Sequence, residues 1–432
     1  MEIQQLYSCF LQSSGVTTDT RTCTEGSMFF ALKGERFDGN TYARQALDAG
    51  CAYAVIDNPA YADPADSRLL LVEDALLALQ QLARHHRRQL GTRIIGITGT
   101  NGKTTTKELL SAVLARKFRT HYTHGNLNNS IGVPLTLLQL TADHEIAVVE
   151  MGASHPGDIS ELVHVAEPDF GIITNVGRAH LQGFGSFEGV IRTKGELYDF
   201  LREKGGSTIF LHNDNPYLCG IADGLTAVRY GSPAEGVAVS GEVIACDPYL
   251  CFRWQSADGP AYEVSTRLVG RYNVDNALCA VTVGRFFGVS DSDINEAIAG
   301  YEPTNSRSQL LRTERNTLIV DAYNANPTSM RASLLNFQQM KAERKMVIIG
   351  DMKELGDASA AEHQGIVSLL QECAFTEVWL VGQQFIHAQS AYRTFANADE
   401  VIAALEAQPV SDTTVLVKGS NSMKLSTLIP YL

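Results

Sequence analysis

A lysine and two threonines follow closely spaced glycines in the stretch Gly96-Ile97-Thr98-Gly99-Thr100-Asn101-Gly102-Lys103-Thr104-Thr105. These residue types in this order suit a phosphate. Glycines let backbone N–H groups turn inward around an anion, and a helix start adds unpaired N–H groups and the positive end of a dipole. Lys103 can then reach the β- and γ-phosphates of a nucleoside triphosphate, and the Thr104 hydroxyl can hold Mg²⁺. The standard GxxxxGK[ST] pattern has glycine where Ile97 stands. A carboxylate at a neighbouring strand end would complete the magnesium site, and Glu150 closes the apolar run Ile146-Ala147-Val148-Val149. His180 lies just past another apolar run, Gly171 to Val176, where a side chain faces the ligand crevice of an open sheet. Asn128 and Asn129 sit in a dense set of amides and glycines from His124 to Pro134, which fits either a ligand loop or a polar turn. Asn273 and Asn276 are three apart and share a face if helical, where they either read an adenine edge or cap the helix.

These residues need particular elements to hold them. Arg93 to Thr98 is a β-branched run leading into the glycines, and Leu109, Leu110, Val113 and Leu114 share one face of the helix that leaves them. From residue 89 to about 300, strand-like and helix-like segments alternate, which predicts a largely parallel sheet with helices on both faces. Pro303-Thr304-Asn305-Ser306-Arg307 reads as a linker, with a hinge expected near 302–306. Beyond it, strands are predicted at Thr317 to Asp321, Met346 to Gly350, Glu377 to Val381 and Thr414 to Val417, forming a second doubly wound sheet. Two of these strands run into polar loops, Asp321-Ala322-Tyr323-Asn324-Ala325-Asn326-Pro327 and Gly350-Asp351-Met352-Lys353-Glu354-Leu355-Gly356.

The segment before residue 89 looks separate. It carries a polar turn at Thr18-Asp19-Thr20-Arg21 and a strand running into a loop that ends in Asp38-Gly39-Asn40. Arg21, Lys33 and Arg36 could neutralise a diphosphate, although such cations are ordinarily solvated surface charge. Helical spacing is present from Glu73 to Arg88, and the basic end His85-His86-Arg87-Arg88 suits the negative end of a helix dipole. The expected architecture is α/β with three domains. A small α/β amino-terminal domain takes residues 1–88, a central P-loop-type ATPase domain with a mostly parallel sheet takes 89–302, and a Rossmann-like domain takes 303–432.

Composition narrows the function classes. The chain has 432 residues, 44% hydrophobic and 19% charged, which allows several buried cores. A net charge of −13 argues against general binding to nucleic acid or anionic membranes, so an anionic substrate needs a local basic pocket. No apolar run approaches the ~20 residues of a membrane span. The start Met1-Glu2-Ile3-Gln4-Gln5 lacks a signal-peptide pattern, and the eight cysteines are scattered without CxxC spacing. A cytoplasmic monomer with free thiols is expected.

Taken together, these stretches resemble the Mur ligase family of peptidoglycan synthesis, over nearly the whole chain. Thr98 to Thr104 is similar to that family's nucleotide motif, including its departure at Ile97. The resemblance implies that Thr98, Gly99, Thr100, Asn101, Gly102, Lys103, Thr104, Thr105, Asn273, Asn276, Arg307 and Asp321 bind ATP. It also implies that Thr104, Glu150, His180 and a carbamylated Lys194 hold Mg²⁺, and that Lys103, Lys194, His180 and Arg307 are catalytic. Those features alone would also admit folylpolyglutamate synthase. The loops from Asp321 to Met330 and from Gly350 to Gly356 are more discriminating. They resemble the branch of the family that joins D-alanyl-D-alanine to UDP-N-acetylmuramoyl-tripeptide. The resemblance then implies UDP contacts at Thr20, Arg21, Asp38, Gly39 and Asn40. Further substrate contacts are expected at Asn128, Asn129, Tyr323, Asn324 and Asn326. Thr20 and Asn40 stand where Ser and His are usual, Val320 where an acidic residue is usual, and Asn421 where Arg is common. The implied reaction is attack of a tripeptide carboxylate on the γ-phosphate, followed by attack of the dipeptide amine on the acyl phosphate. The pattern identifies no base for that amine.

Overall fold

The computed structural model describes residues 1–35, 37–304 and 307–432. Arg36, and Asn305 with Ser306 in the expected hinge, lie outside the described residues. Three main sheets follow one another along the chain. The first has four parallel strands, Val16–Thr17, Met28–Phe30, Tyr53–Ile56 and Leu69–Leu71, side by side in sequence order.

The second sheet carries the phosphate loop. Arg93–Thr98 pairs in parallel with Ile146–Glu150 on one side and Phe170–Ile173 on the other. Alternate residues of Arg93–Thr98 serve two cores, with Ile94 in one and Ile95 and Ile97 in the other. That period-two division on a strand buried on both faces is what a sheet covered by helices requires. Parallel pairing continues through Thr208–His212 and Thr226–Gly231 to Val237–Cys246. The sheet then departs from the expected strand–helix alternation. Val237–Cys246, Tyr249–Ser256 and Ala261–Val269 form an antiparallel meander. Tyr249–Ser256 alternates exposed and buried side chains, because the meander covers a core with one face only.

In the third sheet, Thr317–Asp321, Thr414–Lys418, Lys345–Gly350, Glu377–Val381 and Arg393–Phe395 are parallel, and Gln309–Arg312 adds an antiparallel edge. The two outer strands were not anticipated; each is short.

Helix Ala75–Leu90 joins the first unit to the second. Asp74 caps it by accepting from Leu77 N, and Gly91 ends it in the left-handed conformation. Its basic end docks on the central unit. Arg87 donates to Ala166 O at 2.9 Å and pairs with Asp169, while Arg88 pairs with Glu167. These cations are therefore spent on an interface within the chain.

Candidate functional site

The phosphate loop is held open by backbone that only glycine accommodates. Gly99 has φ +140°, and a Cβ there would lie 2.0 Å from Thr174 Oγ1. Gly102 has φ +78°, and its Cβ would lie 2.6 Å from Asn276 Oδ1. The strand beside the loop clamps it. Asn101 N donates to Asn175 Oδ1 at 3.0 Å, while Asn175 Nδ2 and Thr174 Oγ1 donate to Asn101 O at 3.0 and 2.6 Å. Thr174 and Asn175 were missed as functional positions, although their place just past a parallel strand was a usable signal.

Helix Lys103–Leu114 begins at the last glycine. Lys103 Nζ curls over the loop and donates to Gly99 O at 2.7 Å and Thr100 O at 3.2 Å. Burial pushes its pKa down to about 8, with Arg307 adding to the shift and Glu150 opposing it. Thr104 Oγ1 donates to Glu150 Oε2 at 3.0 Å, and Asn128 Nδ2 donates to Glu150 Oε1 at 2.8 Å. Lys107, one turn beyond Lys103, is buried with Nζ 3.9 Å from Glu150 Oε2 and donates to Thr123 O at 2.6 Å. It was not foreseen, since a lysine one turn into a helix carries no motif of its own.

A buried hydroxyl touching a buried carboxylate beside a phosphate loop supplies the hard oxygen donors that Mg²⁺ takes together with phosphates and water. The residues fit that ion. The full expected set is not assembled, however. Among the described residues no group of three or more His, Cys, Asp and Glu side chains is arranged to hold a metal. His180, at φ +51°, forms an ion pair with Glu354 of the third unit. Lys194, on helix Phe187–Lys204, is only 2% exposed, with Nζ 3.5 Å from Ala153 O and 5.2 Å from the Phe184 ring centre. Burial above all, then the Lys103 charge, pushes its pKa down to about 7, against the pull of Asp158 and Glu196.

The amides Asn273 and Asn276 start helix Asn273–Phe286 but do not cap it. Tyr272 is the cap residue and makes no side-chain bond there. Asn276 Oδ1 accepts from Thr106 Oγ1 at 3.0 Å, and its Nδ2 donates to Asn273 Oδ1 at 2.8 Å. The pair braces the phosphate-loop helix and still faces the cavity.

That cavity, about 770 Å³, is walled by the second and third units. Thr100, Asn101, Gly102, Lys103, Thr105, Glu150 and His180 line it from one side, with Asn128 and Asn129. Arg307, Asp321, Tyr323 and Asn324 line it from the other. The Arg307 guanidinium lies 4.0 Å from the Tyr323 ring centre, and Asp321 is paired with Lys418. Thr98, Gly99, Thr104, Lys194 and Asn326 are absent from the lining. Asn326 differs from expectation. Its Oδ1 caps helix Pro327–Gln339 by accepting from Ser329 N, and its Nδ2 donates to Asn101 Oδ1 at 2.7 Å. Both ends of the amide are thus committed, so it ties the third unit to the phosphate loop instead of presenting itself to a ligand.

Thr20, Arg21, Asp38, Gly39 and Asn40 are absent from the lining of this cavity. They lie in loops that follow the carboxyl ends of the first sheet's strands, a ligand-binding edge in parallel sheets. Asn40 is fully buried, its Nδ2 donating to Asp38 and Asp57 at 2.6 and 2.8 Å while its Oδ1 accepts from Asp57 N. It organises this edge, a role that depends on a partner 17 residues away. Arg21 is exposed and paired with Asp19, and Lys33 is paired with Asp57 at 2.9 Å.

Comparison with known proteins agrees along the whole chain. Residues 12–87 match the Mur ligase family catalytic domain, 97–284 the Mur ligase middle domain, and 306–421 the Mur ligase glutamate ligase domain. The UDP-N-acetylmuramoyl-tripeptide–D-alanyl-D-alanine ligase of Bacillus subtilis is 35% identical over 97% of this chain and 93% of its own length. Among solved structures, MurF from Acinetobacter baumannii superposes with a TM-score of 0.88 at 32% identity, covering 99% of this chain and 97% of that one. MurF ligase from Thermotoga maritima in complex with ADP gives 0.85 at 26% identity, covering 98% and 97%. With the phosphate loop, the Glu150 strand end and the third-unit loops all in their expected order, the chain belongs to the Mur ligase family and is of the MurF type.

Proposed function

We propose that this chain uses ATP to join D-alanyl-D-alanine to UDP-N-acetylmuramoyl-tripeptide through an acyl phosphate, supplying a cytoplasmic peptidoglycan precursor. The observation that carries this reading is the meeting of two loops. The phosphate loop of the second unit and the Tyr323–Asn324 loop of the third wall one cavity and are tied by Asn101 and Asn326. A reaction that brings a nucleotide and two other substrates together needs such a shared chamber. The sheets suggest three domains at 1–88, 89–302 and 303–432, with UDP at the carboxyl edge of the first sheet and the dipeptide against the third. Arg21 and Lys33, now paired with carboxylates, would turn to the diphosphate.

Within the chamber, Lys103 and Arg307 offset the repulsion between triphosphate and attacking carboxylate, and stabilise charge spreading over the phosphoryl oxygens. Thr104 and Glu150 would hold Mg²⁺, with His180 and a carbamylated Lys194 as further ligands, and the ion would supply charge neutralisation for the phosphates. Asn273 and Asn276 face the nucleotide, and Asp321, paired with Lys418, positions the third-domain loop. Contacts between the domains exclude water from the acyl phosphate. All of these groups come from one chain, in keeping with a monomer. No described helix is long and apolar enough to cross a membrane.

The test is phosphate release with each substrate omitted in turn. Release should require ATP, the UDP-tripeptide and the dipeptide together. Release that persists without the dipeptide, or that is supported by a folate in place of the muramyl tripeptide, would reject this reading in favour of slow ATP hydrolysis or a folate-type ligase.

A further inference from the structure

We propose that Glu354 binds the ammonium group of the incoming dipeptide, an inference that rests on the ligase reading above. Six carboxylates line the cavity. Four of them are held by partners within their own unit, and Glu161 by the helix that docks the first unit on the second. Glu150 accepts from Thr104 and Asn128, and Asp158 accepts from Ser154 N and His155 N. Glu161 accepts from Gln80, Asp275 faces His212 at 3.6 Å, and Asp321 pairs with Lys418. Glu354 is different. Its ion pair crosses from the third unit to His180 of the second, so it lasts only while the two are together.

Three further features fit a substrate carboxylate. Glu354 sits on the loop following strand Lys345–Gly350, at the carboxyl edge where parallel sheets take their ligands. It has φ +63°, a left-handed conformation that a non-glycine residue holds at some cost and that clusters at functional positions. Its side chain is 58% exposed, so a solute can reach it, unlike buried Glu150. The dipeptide brings a positive charge to the chamber in its amino group, the group that must react there. Exchange of His180 for that ammonium gives Glu354 a cationic partner for a charge-assisted hydrogen bond, in the chamber that Tyr323 and Asn324 also line.

The experiment is calorimetric titration of the full-length enzyme, loaded with UDP-tripeptide and a non-hydrolysable ATP analogue. The two probes are D-alanyl-D-alanine and propanoyl-D-alanine, which has the same shape without the amine. The unmodified enzyme should favour the dipeptide by on the order of tenfold or more. Glu354→Gln should bind both alike, and Glu354→Asp should retain part of the preference. UDP-tripeptide affinity should be unchanged in both variants, which also reports that they are folded. A Glu354→Gln enzyme that keeps the full preference for the amine overturns the inference, as does an unmodified enzyme that binds both probes equally. An unmodified enzyme that binds neither probe overturns the ligase reading instead.

Discussion

If Lys194 serves as a carbamate, as proposed, Lys194→Ala should abolish ligation and formate should restore part of it. The magnitude follows from the burial of its amine. Carbon dioxide reacts only with a neutral amine. Burial takes the Lys194 pKa from an ordinary 10.5 down to about 7. At pH 7.5 the neutral fraction then rises from about a thousandth to roughly three quarters, a gain of ~700-fold in reactive amine. A solvated surface lysine would have no such advantage. Carbamylation replaces an amine that can only donate or repel a metal with an anion bearing two oxygens, within electrostatic reach of Lys103. Loss of at least a hundredfold in kcat is expected in Lys194→Ala. Lys194→Arg, which stays charged and cannot carry the carbamate, should be equally inactive and should not respond to formate. The assay is phosphate release with and without formate. Independently of activity, carbon NMR of enzyme equilibrated with isotope-labelled bicarbonate should show a carbamate signal that Lys194→Ala lacks. A fully active alanine variant, or no carbamate signal from the unmodified enzyme at pH 8, would refute the argument.

Three other outcomes are expected. The kcat/KM for ATP should be bell-shaped with pH. Its acid limb near 7 reflects Lys194, which must lose a proton before carbamylation. Its alkaline limb near 8 reflects Lys103, whose lowered pKa leaves it cationic below that pH and neutral above it. Lys103→Arg should move the alkaline limb upward, and a profile flat from pH 6 to 9 would contradict both assignments. Gly99→Ala should weaken ADP binding by roughly 1–3 kcal/mol, because its Cβ would meet Thr174 Oγ1 at 2.0 Å and its φ of +140° disfavours any side chain. Unchanged ADP affinity by calorimetry would show that the loop relaxes without cost. Asn326→Ala should lower unfolding free energy by about 1 kcal/mol through the lost helix cap. It should also raise the KM for ATP, since Asn101 loses its partner, and an unaltered melting curve with an unaltered KM would dismiss both roles.

The phosphate loop was legible because its signal is local. Glycine spacing, an apolar strand before and a helical face after all fall within about twenty residues, and each reports backbone geometry directly. Glu150 was legible for a similar reason, as the polar end of an apolar strand. The parallel strands of the third sheet were readable as apolar runs between polar loops, and the order of the three sheets followed. The meander from Val237 to Val269 was less so. Its alternating burial appears only once one knows which face of the sheet has a core against it.

By itself, then, the sequence determined the α/β class, the glycine loop that carries Lys103 and Thr104, and through its motifs the family. Tertiary structure decided which polar side chains are free to act. Asn40 and Asn326 look like ligand contacts in a motif, yet their amides are consumed by Asp57 and by Asn101, 17 and 225 residues away. Nothing local to Lys194 signals burial, yet folding buries it and lowers its proton affinity. Glu354 acquires its charge partner only because two units meet. Hydrogen bonding and desolvation depend on neighbours in space, and long-range pairing of the chain is what chooses those neighbours.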